Sequence, residues 1–122
     1  MNKTLRTAMQ GNLLFSSLCA TSFLLATTNI AASTGIPEII VQLIGFGLTG
    51  FVGLLWYGIQ SKKINIAKLV VFLDLMWVVS SFAVLLLGWI NLSTIGIFSL
   101  VSIAFIVAGF AIWQQQGILI TE

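Results

Sequence analysis

Four long apolar runs, residues 4–28, 37–60, 67–90 and 93–113, restrict the fold of this chain more than anything else in it. At about 1.5 Å of helical rise per residue, each run is long enough to cross a hydrocarbon layer of about 30 Å. Inside lipid every backbone N–H and C=O must find its partner within the segment, so each run is read as a spanning helix. The whole chain, residues 1–122, is expected to be a single all-α domain, an antiparallel four-helix transmembrane bundle. Composition leaves no soluble alternative. With 59% hydrophobic side chains and only five basic and three acidic residues in 122, a polar exterior cannot be built, and the apolar surplus must face lipid.

The connections, residues 28–36, 61–66 and 91–92, are short and predict that successive spans are antiparallel neighbours. Lys3 and Arg6 precede the first span, and Lys62, Lys63 and Lys68 surround the second connection. Four spans put all five on one side, which the positive-inside rule makes cytoplasmic together with both termini. Trp56, Tyr57, Trp89 and Trp113 fall near span ends and read as interfacial anchors. Lys3, Arg6 and the small residues of "IAAS" (30–33) also resemble a secretory signal, but Asn12 and the Ser/Thr-rich run after it make a poor signal core, so the first run is read as a retained span.

Several function classes are excluded at this level. The basic residues flank apolar segments instead of forming a clustered face, which removes nucleic acid as a partner. One cysteine, Cys19, allows no internal disulfide and no CxxC pair. With no histidine there is no Cys/His metal set and no haem held by two histidines, and no cofactor or metal is implied. No nucleophile–base pair is present, so no catalytic residues are assigned and an enzyme is not expected.

Small and polar residues recur at helical spacing in every span. The first carries Ala8, Asn12, Ser16, Cys19 and Ala26, the third Asp74, Trp77, Ser81 and Gly88, the fourth Gly96, Ser99, Ser102 and Gly109. In the second, Gly45, Thr49 and Gly53 follow one another at intervals of four and are read as a helix-packing face, within the bundle or between copies. Leucine at Gly53 is accordingly expected to disturb assembly more than leucine at Gly58. Pro37 and Glu38 read as a helix start, proline needing no N–H donor there and an acid suiting the helix dipole.

Asp74 stands apart in magnitude. In "KLVVFLDLMWVVSSF" (68–82) it interrupts a lipid-like run, at a cost of roughly 2.5–3.5 kcal/mol near mid-membrane. One amide hydrogen bond does not offset that, and the side chain is too short to reach the interface. Asn12 enters from the same side at a similar depth and is the expected partner, its amide oxygen accepting a hydrogen bond from a neutral Asp74, with Arg6 within reach only as a distant counter-charge. Asp74, Asn12, Trp77 and Ser81 form the candidate intramembrane polar site.

The stretches "KTLRTAMQGNLLFSS" (3–17) and "LDLMWVVSS" (73–81) resemble a group of small four-helix bacterial integral membrane proteins, several of them cyanobacterial, without an assigned function. The likeness covers the first three spans. It implies a four-helix bundle in a bacterial inner membrane and gives weight to Asn12, Asp74 and Trp77, and it brings no substrate. Small multidrug-resistance transporters share the length and helix count but depend on a glutamate in the first helix, where this chain has no acid. The expectation is a small accessory or interaction bundle, embedded in the bilayer and self-associating or part of a larger membrane complex. The alternative is a minimal proton-coupled transporter of a small molecule or ion that uses Asp74.

Overall fold

The computed structural model describes residues 1–121. Five helices follow one another: α1 Lys3–Leu25, α2 Thr27–Thr34, α3 Glu38–Ser61, α4 Ile64–Leu87 and α5 Thr94–Thr121. α1, α3, α4 and the long α5 are each long and apolar enough to cross a membrane, and the chain is a multi-pass, all-α bundle. Large apolar side chains on its outside, such as Leu25, Phe46, Leu86 and Phe98, form the surface that lipid covers.

Local chemistry explains the helix ends. The Asn2 side chain caps α1, its Oδ1 accepting from Leu5 N at 2.8 Å, and Ser93 Oγ accepts from Gly96 N at 3.0 Å at the start of α5. Pro37 is the residue before α3 and Glu38 its first, with the Glu38 carboxylate accepting from Thr28 Oγ1. Gly35, Lys62 and Gly88 end α2, α3 and α4 in the left-handed conformation; Lys62, at φ 57°, does so without the freedom of a glycine.

The connection expected over residues 28–36 contains α2 instead of a simple loop. Thr27 Oγ1 donates to the carbonyls of Phe23 and Leu24, taking acceptors that the backbone of a continuous helix would use, and the chain bends at Ala26 into a second short helix. α2 then packs on the start of α5, where Ser93 N donates to Thr34 O at 2.9 Å and Gly96 lies directly against Thr34. α5 runs on well past Trp113, the end expected for the fourth span.

α1 is the hub. It packs along α3 on one side and α5 on the other, and α4 packs along α5. α3 and α4, although joined by the tightest connection, touch far less than these pairs, contrary to the simple neighbour rule. The core lies toward the connection between them, where Leu5, Met9, Leu55, Ile59, Val70 and Ile118 are buried. Glycines set the close approaches: a Cβ on Gly117 would stand 2.7 Å from Leu5 Cα, and one on Gly45 2.7 Å from Leu24 Cδ2.

Within the bundle, the expected Gly45, Thr49, Gly53 face packs only at its first member. Gly45 is buried against α1, whereas Thr49 and Gly53 are exposed and Gly53 has open space around it. Each step of four residues overshoots a full turn by about 40°, so two steps carry Gly53 about 80° off the packed side. Gly58 is the buried glycine, with Met9 Cε and Ile66 Cγ2 each 2.9 Å from where its Cβ would be. The order expected for the two leucine substitutions is therefore reversed. In α5, Gly96 packs inward but Ser102 and Gly109 face outward. Its buried line is Ala104, Val107, Ala111, Gln114 and Ile118, at alternating steps of three and four.

Candidate functional site

Three helices bring a polar cluster into the middle of the bundle. Asn12 and Gln114 are fully buried, Asp74 is 3% exposed and Ser16 4%. Asn12 Nδ2 donates to Asp74 Oδ2 at 2.9 Å and to Gln114 Oε1 at 3.1 Å. Gln114 Nε2 donates to the same Asp74 oxygen at 2.8 Å, closing a ring across α1, α4 and α5. Ser16 Oγ donates to Asn12 Oδ1 at 3.1 Å, so both ends of the Asn12 amide are committed.

Asn12 and Asp74 are thus in direct contact, but the polarity differs from the expected one. Asp74 accepts from the Asn12 amide nitrogen instead of donating to its oxygen, because that oxygen is turned to Ser16. Arg6 lies exposed near the start of α1, and the two hydrogen bonds at Asp74 come from neutral amides. Both converge on Oδ2, and Oδ1 accepts no hydrogen bond from the described residues. Asp74 lies about 15 Å along α4 from Ile64 at ~1.5 Å per residue, close to the middle of that helix.

Trp77 and Ser81 are not part of the ring. Ser81 is buried, but its hydroxyl bonds back to Trp77 O at 2.8 Å, a local contact within α4. Trp77 Nε1 is covered and has no acceptor among the described residues. Gln114 is the member that sequence reasoning missed. It is the first of three consecutive glutamines placed beyond the expected end of the last span, yet its phase with Ala104, Val107, Ala111 and Ile118 marks it as inward.

Next to the ring, where α3 and α4 diverge, is a half-open cavity of about 350 Å³. Its walls are mainly apolar and aromatic, with Phe15 and Phe23 of α1, Phe51 of α3 and Trp77 of α4 among them; Ser16, Cys19 and Asp74 also line it. Such a pocket, apolar with a few placed polar groups, is the usual form of a small-molecule site. It has no third acidic or sulfur ligand near Asp74, and no group of three potential metal ligands occurs among the described residues.

Compared with protein-family models, with curated proteins and with solved structures, the chain matches none.

Proposed function

We propose that this chain is a non-enzymatic multi-pass protein of a bacterial inner membrane, both termini cytoplasmic, that handles a hydrophobic small molecule bearing a positive charge or exchanging a proton at Asp74. This is the transporter-like alternative of the two readings of the sequence. One observation carries it: a carboxyl group in the wall of an apolar cavity is fixed through one oxygen by two neutral amides, leaving the other oxygen uncommitted. A purely structural polar clasp has no need of an adjoining cavity. Asp74 has no cation among its hydrogen-bond partners, so a guest that supplies positive charge offsets the cost of the buried group.

The accessory, self-associating reading has one observation in its favour. Gly53, exposed on α3 and outside the cavity lining, has open space around it, which suits close approach of a helix from a second copy or a larger membrane complex. The test is binding and uptake of a dansyl-labelled alkylamine in proteoliposomes, with and without a proton gradient. Binding is expected to weaken at least tenfold in Asp74→Asn, while the otherwise matched alcohol binds weakly to both. Equal binding of amine and alcohol, unchanged in the variant, refutes the proposal. Gradient-independent flux leaves binding and passage and removes the proton coupling alone.

A further inference from the structure

A second cavity, of about 320 Å³, lies toward α2 and is lined there by Asn29, Ser33 and Thr34. It shares four side chains with the cavity beside Asp74: Phe23, Ile44, Trp77 and Ile103. These come from α1, α3, α4 and α5, one from each spanning helix, and form a common partition. We infer that the two cavities are successive chambers of one path, that a hydrophobic amine reaches Asp74 from the α2 end, and that Trp77 is the gate between the chambers. The inference rests on the reading of Asp74 as a cation-accepting group.

Three features give the path its direction. Beyond the ring of Asn12, Asp74 and Gln114, the opposite end of the bundle is filled by the packed core of Leu5, Met9, Leu55 and Ile118. That end also carries Lys3, Arg6, Lys62, Lys63 and Lys68, which repel an approaching ammonium group. At the α2 end, Glu38 sits with Thr28 in a separate surface groove that adjoins the outer chamber at Asn29, so that end of the bundle, though not the chamber wall itself, carries the complementary charge.

The gate follows from what the indole does and does not contact. Trp77 is only partly buried and walls both chambers, yet its Nε1–H is covered without an acceptor among the described residues. A buried donor left unsatisfied weakens the conformation that hides it, and a turned ring gains an acceptor from solvent or backbone. The wall opposite is held from one side only: α3 packs along α1 but contributes no side chain to the polar ring and meets α4 sparsely.

Cys19 supplies the reporter, being the chain's single cysteine and part of the inner chamber. Its labelling by a membrane-impermeant trimethylammonium methanethiosulfonate, added to sealed vesicles from the α2 side, measures passage through the gate. Trp77→Ala is expected to raise the rate at least tenfold. Trp77→Phe, which keeps a ring but has no N–H to satisfy, is expected to label at or below the wild-type rate. A cysteine at Ser99 in a Cys19→Ser background reports the outer chamber and is expected to be insensitive to Trp77. An unchanged Cys19 rate in Trp77→Ala overturns the gate, as does a parallel rise at Ser99→Cys, which marks general loosening. Ile103→Ala, the partition residue of α5, is measured alongside with the same expectation in case Trp77→Ala does not fold. Protection of Cys19 by dodecylamine separates the two claims: protection that persists in Asp74→Asn refutes the Asp74 reading, whereas the gate is judged by the labelling rates alone.

Discussion

Replacing Gln114 by methionine tests the polar ring with the least change of shape, since methionine is also long and unbranched. Two hydrogen bonds disappear, the donation to Asp74 Oδ2 at 2.8 Å and the acceptance from Asn12 Nδ2 at 3.1 Å. The amide–amide bond is worth about 0.6 kcal/mol by the average for membrane interiors. At alkaline pH, where the carboxyl is ionised and the assay is run, a bond to it is worth about 1.5–3 kcal/mol. Gln114→Met is therefore expected to destabilise the bundle by about 2–3.5 kcal/mol. The assay is reversible unfolding in mixed micelles as the fraction of denaturing detergent rises, followed by circular dichroism. Repeating it in an Asp74→Asn background completes a double-mutant cycle. The neutral amide weakens the bond that Gln114 makes there, so the same substitution should cost about 1 kcal/mol, leaving a coupling of about 1–2.5 kcal/mol. A loss below about 0.5 kcal/mol, or the same cost in both backgrounds, refutes the claim that Gln114 and Asp74 act together.

Three further outcomes are expected. Gly58→Leu should destabilise by about 1–3 kcal/mol because it drives a side chain into Met9 and Ile66, while Gly53→Leu stays within about 0.5 kcal/mol of wild type; equal thermal stability of the two in detergent contradicts the packing described. Lys62→Gly should stabilise by about 0.5–1 kcal/mol by relieving a left-handed backbone in a residue with a side chain, which chemical unfolding reads directly, and a loss of stability would contradict it. Tags at either terminus should report the same, cytoplasmic side and a tag between Gly88 and Asn91 the other; a terminus accessible from outside contradicts the charge argument.

Long-range order in the chain was legible where one physical cause dominates. Span length and the need to satisfy backbone groups in lipid placed four helices within a few residues of where they lie, except at the far end of α5, and the rarity of a carboxyl group in such a run singled out Asp74. Asn12 was legible as its neighbour because depth along two helices follows from residue count. Gln114 was not, because three glutamines after Trp113 look like the polar end of a span, and only their phase with the buried alanines tells one from the others. The split between Gly45 and Gly53 was hidden by treating a repeat of four as a full turn. α2 escaped notice because its Ser, Thr and Asn residues favour turns and caps as readily as helix, and the bend falls where the Thr27 hydroxyl meets the carbonyls of Phe23 and Leu24. The gap between α3 and α4 had no sequence signal, since lipid-facing and cavity-facing apolar residues are chemically alike.

The ring of Asn12, Asp74 and Gln114 also has a history within each molecule. Its members are separated by 62, 40 and 102 positions along the chain. As helices leave the insertion machinery in order, α1 enters lipid as the least apolar of the four spans, with Asn12 unpaired by any other helix. Asp74 arrives and halves that debt, and only α5 closes it. Until then the side of this pair that Gln114 covers in the finished bundle has no partner, and a chain stopped before Gln114 keeps it so. The same three residues that shape the site thus mark a finished molecule from an unfinished one, and a protease that recognises polar groups stranded in the membrane would remove the second and spare the first.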